Sequence, residues 1–294
     1  MVKGHDVRRS EIGARNALSR WHLGMIYFIS DIHLGSLVMA DSEQHQQRFI
    51  SLLKKMERDA TAIYLLGDVF DFWMEYYWPN RRHFRQFQPV LQALKEIAER
   101  IPVHFFIGNH DLWTFGWLAQ ETGMIIHKQP EVMVLNGRKC YLAHGDGLGS
   151  NDRKFLALRR FFHSAVPQFL FRLLPPALGD WMGYSWAASS RRKELRSPEE
   201  YKGEGKEELV QFAKQYVEEN GDDNLLFVFG HRHLELSMMI GPRACVYILG
   251  DFFRQFTYGM LSENGVFSLE QDLTEEELAA MDDCNRQGVS VAFM

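Results

Sequence analysis

The sequence has few cysteines, and their positions exclude both a disulfide framework and a thiolate metal site. Cys140, Cys245 and Cys284 are odd in number, lie far apart and never occur in a CxxC spacing. This usage is typical of a protein in a reducing compartment. We therefore expect a cytoplasmic protein whose chemistry does not depend on sulfur.

Long apolar runs and an excess of positive charge are also missing. No segment approaches the roughly 18 uncharged apolar residues that a membrane-spanning helix needs. The formal net charge of −5 gives no argument for nucleic-acid binding through phosphate neutralisation. Residues 1–23 carry Arg8, Arg9, Arg15 and Arg20 but no apolar run before a cleavage site, so we expect a loose extension rather than a leader.

What the sequence does contain is a series of short apolar runs, many of them followed by polar side chains. Strands are predicted at 25–30, 62–66, 103–107, 139–143, 225–229 and 245–249, with helices at about 41–58, 86–100 and 204–219. Strands that alternate with helices predict an α/β sheet covered by helices. Ligands bind such sheets at the carboxyl ends of the strands, so the residues that follow the strands are candidate site residues.

Five of these strand ends carry groups that could bind a metal. The residues are Asp31 and His33, then Asp68, then Asn109, then His144, and finally His231 and His233. In the last pair the imidazoles leave an extended backbone on the same side, because they are two residues apart. A single such residue is more often a cap or turn residue, and this is our interpretation of His45, His83, His104, His127 and His163. Seven of them at five successive strand ends predict a metal centre.

The donor types narrow the choice of metal. Carboxylate, amide and imidazole donors without sulfur suit Mn²⁺, Fe²⁺ or Zn²⁺ better than Ca²⁺ or a closed thiolate zinc site. The seven groups suffice for two divalent cations, and we expect Asp68 to bridge a pair about 3.5–4 Å apart. Such a pair would activate water for attack on phosphorus and neutralise charge on the phosphoryl oxygens.

In this order the motifs resemble the signature of the calcineurin-like metallophosphoesterases, over about residues 25–255. The motifs are Asp31-x-His33, Gly67-Asp68, Gly108-Asn109-His110-Asp111, His144 and Gly230-His231-x-His233. The resemblance implies a four-layer β-sandwich flanked by helices, with two packed sheets where the strand count alone gives one. It also implies a division of ligands: Asp31, His33, Asp68 and His233 for one metal, and Asp68, Asn109, His144 and His231 for the other.

The residues beside Asn109 are the candidate catalytic groups. His110 would stabilise the transition state or protonate the leaving oxygen, and Asp111 would orient its imidazole. A further metal ligand or a plain hydrogen-bond donor is the alternative interpretation of His110.

The segment at about 152–202 has no strand signal and is rich in aromatic and basic residues. Its apolar stretches, such as Phe155–Phe162 and Phe169–Leu174, predict a helical insertion that holds acyl chains or rests on a membrane face. A small satellite core is the alternative. Ser189–Lys193 ends in a basic triplet that would suit a phosphate or pyrophosphate, with a solvated charge run as the alternative.

Together with the Gly67-Asp68-x-Phe70-Asp71-x-Trp73 stretch, this insertion resembles the UDP-2,3-diacylglucosamine pyrophosphohydrolase family of lipid A synthesis. The resemblance implies hydrolysis of a UDP-linked lipid to 2,3-diacylglucosamine 1-phosphate (lipid X) and UMP. It implies Mn²⁺ as cofactor, a peripheral location on the cytoplasmic face of the inner membrane, and a cap that receives acyl chains. It implies substrate contacts from Asn109, Ser190, Arg191, Arg192 and Lys193. The chain departs from many members of that family in having His110 instead of Arg.

The predicted organisation is a loose extension at 1–23, a metallophosphoesterase domain at 24–270 with a lipid-binding cap at about 152–202, and a tail at 271–294. A soluble phosphodiesterase or protein phosphatase of the same family is the alternative enzyme. A non-catalytic scaffold of the same fold is the alternative outside catalysis, although the complete ligand set argues against it. We expect no nucleic acid and no obligate protein partner.

Overall fold

The computed structural model describes residues 24–78, 82–196, 200–221 and 224–278, the side chains of Arg82, His83 and Glu194 apart. The predicted extension and most of the predicted tail lie outside these ranges. The strands are β1 Met25–Ile29, β2 Ala60–Leu66, β3 Val103–Phe106, β4 Ile125–His127, β5 Glu131–Leu135, β6 Arg138–Ala143, β7 Leu225–Phe229, β8 Glu235–Met239, β9 Cys245–Leu249, β10 Thr257–Leu261 and β11 Phe267–Gln271. The α-helices are α1 Ser42–Met56, α2 Gln88–Ala98, α3 Trp117–Thr122, α4 Arg153–His163, α5 Ala165–Arg172, α6 Pro176–Arg196 and α7 Glu208–Asn220.

The strands form two mixed sheets. The first has the order β11-β10-β1-β2-β3-β4, and the second has the order β5-β6-β7-β9-β8. Each sheet contains one group of parallel strands, namely β1 to β4 in the first and β6, β7 and β9 in the second. The remaining strands pair antiparallel with their neighbours. Because parallel neighbours end at the same edge, each sheet gathers several strand ends in one place.

The two sheets pack face to face through alternate side chains of their strands. In β1, Ile26 and Phe28 enter the shared core, whereas Tyr27 and Ile29 pack on the opposite face. Successive strand residues point to opposite faces, so a strand buried on both sides needs an unbroken apolar sequence. This explains the continuous apolar runs from which the strands were predicted.

Helices cover the outer faces of both sheets. The helices α1, α2 and α3 pack on the first sheet, and α7 packs on the second. The apolar face predicted for the first helix is buried, since Phe49, Leu52, Leu53 and Met56 all belong to the core. The layers are therefore helices, first sheet, second sheet and helices, which is a four-layer sandwich. The expectation of two packed sheets is confirmed. The single sheet suggested by the strand count is wrong.

Five strands went unpredicted because their sequences are short or only partly apolar. The three residues of β4 form an edge strand, and β5 and β8 are edge strands with largely exposed side chains. An edge strand buries at most one face, so its sequence lacks the continuous apolar run of a central strand.

The segment between β6 and α7 contains the three helices α4, α5 and α6. They rest on loops of the first sheet: Tyr77 N donates to Arg172 O at 2.9 Å, and Trp113 Nε1 donates to Phe162 O at 3.2 Å. We use the term helical insertion for residues 153–196. In the described part of the chain, no helix combines the length and apolarity required to cross a bilayer.

Candidate metal centre

The ends of the central strands meet at one edge of the sandwich. Asp31, after β1, donates its N–H to Gly67 O at 3.1 Å, which ties the end of β1 to the end of β2. Two further bonds link loops of the second sheet to Asp31. Phe252 N donates to Asp31 O at 3.1 Å, and His231 N donates to Asp31 Oδ2 at 2.9 Å. These bonds hold the loops from both sheets around Asp31.

The backbone at this edge is strained. Seven described non-glycine residues have positive φ, and five of them are predicted metal ligands: Asp31 (54°), His33 (51°), Asp68 (53°), His231 (70°) and His233 (48°). Such conformations cost about 1–3 kcal/mol each and persist only where the surrounding structure fixes them. Strain concentrated on the predicted ligands marks this edge as a functional site.

Two glycines allow the loops to approach this closely. A Cβ on Gly67, which has φ +86°, would lie 2.6 Å from His144 Nδ1. A Cβ on Gly108 would lie 2.1 Å from Asp68 Oδ1. Any side chain at either position would therefore displace a predicted ligand.

Asp31, His33 and His233 form the first ligand group, whose donor atoms all lie within 4.8 Å of one another. His233 Nε2 lies 3.2 Å from Asp31 Oδ1, and His33 Nε2 lies 3.8 Å from the same oxygen. All three side chains are buried. Converging buried donors of this kind fit a divalent cation of the O/N-preferring class.

The second ligand group is built around Asp68 and His144, with Asp31 again within reach. His144 Nδ1 donates to Leu66 O at 2.8 Å, which leaves Nε2 free to bind a metal. This Nε2 lies 3.4 Å from Asp68 Oδ2 and 3.1 Å from Asn109 Oδ1.

Two further distances complete the predicted ligand set. The His231 ring centroid lies 5.1 Å from that of His144. Asp68 Oδ2 is also 3.8 Å from His33 Nε2, so Asp68 stands between the two ligand groups. This is the position that a bridging carboxylate requires.

The charges of the side chains at this site favour the binding of a cation. Burial opposes ionisation of Asp31, yet His233 and His33 outweigh it and hold the pKa of that carboxyl well below its usual range. Burial likewise opposes charging of His144, but Asp68 raises the pKa of its imidazole well above the usual value. His231 differs, since burial and His144 lower its pKa to about 4. A carboxylate that stays ionised when buried and an imidazole that attracts a proton this strongly are both suited to bind a cation.

His110 lies at the same edge, but its partner differs from the expected one. His110 Nδ1 donates to the backbone carbonyl of Asp71 at 2.7 Å. Asp111 instead accepts from Gly108 N at 2.7 Å and from Val69 N at 2.7 Å. The expectation that Asp111 orients the His110 imidazole does not match these contacts, because this carboxylate joins two loops through their backbone.

The basic segment of the helical insertion divides into buried and exposed residues. Arg191 is 1% exposed and reaches the first ligand group, with Nη2 at 2.6 and 2.8 Å from the ring nitrogens of His33. Ser190 is half-buried, and Arg192 and Lys193 are exposed. Of the four, only Arg191 has its side chain buried among the predicted ligands.

Two residues of the site were absent from the predicted set. Asp71 Oδ1 lies 3.2 Å from His33 Nδ1, and Asp251 Oδ2 lies 3.5 Å from His233 Nδ1. Both carboxylates are buried and can fix the imidazole beside them. The signals were present, since Asp71 follows Asp68 by three residues and Gly250-Asp251 ends a strand as Gly67-Asp68 does.

Comparison with known proteins agrees with the family resemblance found in the sequence. The family model described as calcineurin-like phosphoesterase matches residues 24–252. A protein of Porphyromonas gingivalis named UDP-2,3-diacylglucosamine hydrolase is 33% identical over 246 residues, which cover 80% of this chain and 93% of the relative. A protein of Pseudomonas fluorescens with the same name is 28% identical over 245 residues, covering 82% and 93%. A dimetal phosphatase from Danio rerio has a TM-score of 0.44 at 12% identity, covering 84% of this chain and 98% of that structure, too distant to bear on function.

Proposed function

The chain belongs to the calcineurin-like phosphoesterase family, and on that premise we propose that it hydrolyses the pyrophosphate bond of UDP-2,3-diacylglucosamine. The products would be 2,3-diacylglucosamine 1-phosphate and UMP. The proposal is supported by relatives of that name that match over most of their length. The observation that carries it is the helical insertion, because it combines aromatic side chains with an arginine that enters the candidate metal centre.

We assign the two ligand groups to two divalent cations. Asp31, His33, Asp68 and His233 would hold one, and Asp68, Asn109, His144 and His231 would hold the other, with Mn²⁺ first and Fe²⁺ or Zn²⁺ as alternatives. When bound, such a pair lowers the pKa of water and neutralises charge on the transferred phosphoryl group. Asp71 and Asp251 would keep the His33 and His233 rings in place.

The chain itself supplies the proton chemistry at the leaving group. Because His110 Nδ1 is committed to the Asp71 carbonyl, Nε2 is the atom available to the substrate. Protonation of the leaving oxygen needs the charged ring, with a second proton taken up from solvent at Nε2. Because burial lowers the pKa of this imidazole, the charged ring gives that proton up easily to the leaving oxygen. We assign His110 the role of stabilising or protonating the leaving oxygen.

The acyl chains would lie between the helical insertion and the loops of the first sheet. Trp113 packs against Phe171 of α5 with ring centroids 4.7 Å apart and against Phe162 of α4 at 5.7 Å. Phe162 in turn packs edge-on against Trp186 of α6 at 5.1 Å. A small polar substrate would gain nothing from these aromatic side chains, whereas a diacylated sugar would bury its chains against them.

The outer face of the helical insertion suits a membrane surface. Large apolar side chains are exposed along it, namely Leu158, Phe161, Val166, Phe169, Leu170, Leu173, Leu178, Trp181, Met182 and Leu195. Arg153, Lys154 and Arg160 of α4 are exposed beside them and would attract anionic headgroups. We propose peripheral attachment to the cytoplasmic face of the inner membrane, in keeping with the unpaired Cys140 and Cys245.

The test is product analysis by mass spectrometry. The full chain is incubated with Mn²⁺ and detergent-solubilised UDP-2,3-diacylglucosamine, with UDP-N-acetylglucosamine as the matched substrate without long acyl chains. We expect UMP and the diacylated sugar phosphate from the lipid and at least about 100-fold slower turnover of the soluble analogue, since two acyl chains bury several methylenes at about 0.8 kcal/mol each. Equal turnover of both substrates, or cleavage that releases UDP, would contradict the proposal.

A further inference from the structure

The helical insertion places a permanent positive charge inside the first ligand group. Nη2 of Arg191 lies 2.6 and 2.8 Å from the two ring nitrogens of His33, and Nη1 lies 3.4 and 3.5 Å from those of His233. Nη2 is also 3.6 Å from Asp71 Oδ1. The guanidinium group therefore contacts the same imidazoles that the first cation would bind.

These contacts oppose metal binding at the same imidazoles. A guanidinium group stays protonated at all relevant pH values, so it cannot relieve the conflict by losing its charge. A metal bound to His33 and His233 would add positive charge beside a guanidinium group that already contacts both rings, and like charges in a buried site repel each other. The guanidinium group therefore opposes binding of the first cation.

Arg191 lies near one end of a helix that is held elsewhere by other contacts. Earlier in α6, Tyr76 Oη donates to Asp180 Oδ1 at 2.9 Å, and Gln86 Nε2 donates to Tyr184 Oη at 2.9 Å. These contacts involve neither ligand group. Displacement of the Arg191 side chain would therefore loosen the last turns of α6 and leave its first turns in place.

We propose that Arg191 and the first divalent cation compete for the side of the site formed by His33 and His233. Binding of the cation expels the guanidinium group and releases the end of α6. The position of the helical insertion is thereby coupled to metal loading. This inference rests on the assigned metal centre but not on the identity of the substrate.

The first test measures metal affinity without any substrate. Mn²⁺ is titrated into the full chain while free Mn²⁺ is followed by electron paramagnetic resonance. Arg191→Met keeps an apolar stem but removes the charge. We expect this variant to bind Mn²⁺ about 10- to 100-fold more tightly at the affected site. That gain corresponds to a wild-type chain whose metal-binding state is populated at about 10% to 1%. Arg191→Lys keeps a charge and should tighten the site less.

The matched control is Arg196→Met, which removes an exposed charge from the last turn of the same helix. We expect its Mn²⁺ affinity to equal that of the wild type. Unchanged or weaker binding in Arg191→Met would overturn the proposal, and so would an equal gain in Arg196→Met, because that result would indicate a general charge effect.

The second test uses the wild type alone and so does not depend on the folding of a variant. Hydrogen exchange is measured by mass spectrometry with and without Mn²⁺. We expect faster exchange in residues 189–196 and unchanged exchange in residues 178–186 when Mn²⁺ is bound. Uniform protection of both segments would overturn the proposal. Neither experiment involves hydrolysis, so a failure of the proposed substrate would leave these results unaffected.

Discussion

Replacing Phe162 by Ser tests whether the aromatic side chains of the helical insertion bind lipid. Phe162 is partly buried between Trp113 and Trp186, with ring centroids at 5.7 and 5.1 Å. Complete burial of a Phe side chain is worth about 1.5–3 kcal/mol. Because most of the side chain is already covered by protein, an acyl chain can gain at most about a third of this value, which corresponds to roughly a 2- to 5-fold loss of kcat/KM.

The assay compares two substrates with each variant. Detergent-solubilised UDP-2,3-diacylglucosamine reports on the acyl chains, and a small chromogenic phosphodiester reports on the metal centre alone. We expect Phe162→Ser to lose activity on the lipid and to retain its rate on the small phosphodiester.

Phe161→Ser is the matched control, since Phe161 is the adjacent residue of the same type and is 55% exposed. It should hydrolyse solubilised lipid like the wild type but bind less well to anionic vesicles, because its ring faces outwards. Equal losses of Phe162→Ser on both substrates would refute the reasoning, because they would show that the ring only supports the fold.

Three further predictions concern the metal centre and the attachment of the helical insertion. Asp68→Ala should abolish hydrolysis and lose at least one metal per chain, so elemental analysis that finds two metals in the variant would contradict the bridging role. His110→Ala should keep both metals but lower turnover about 10²- to 10⁴-fold, and an unchanged rate at saturating substrate would rule out a catalytic role. Burial raises the pKa of Asp180 to about 6, so the folded chain holds a proton that the unfolded chain releases, and stability falls as pH rises from about 4 to 6. Asp180→Asn should therefore raise Tm at pH 8 but not at pH 4, and an equal shift at both pH values would exclude titration of Asp180 as the cause.

Much of the fold could be predicted because central strands leave a strong pattern in the sequence. The strands β1, β2 and β7 are buried on both faces, and their continuous apolar runs are the direct consequence. Edge strands such as β5 and β8 leave no comparable signal, since one of their faces can meet solvent. The division into two sheets could not be derived from strand patterns alone, because apolar residues on both sides of a strand do not specify what packs there.

The sequence by itself determined which groups stand at the strand ends. A strand followed by Gly-Asp or Gly-His-x-His delivers its polar side chains to the carboxyl edge whatever its neighbours are. The seven predicted ligands were identified in this way, and the strained backbone at five of them accords with a functional site.

Only the tertiary structure decided which side chains meet one another. Asp111 follows His110 in sequence, yet its two carboxylate oxygens accept from the backbone of Gly108 and Val69 and so join two loops. Arg191 and Arg192 are neighbours in one basic run, but Arg191 is buried among the ligands and Arg192 is exposed. Adjacent residues on a helix point about 100° apart, so the face that α6 turns towards the sheet separates them. That face is set by packing across the whole domain, which local sequence does not encode.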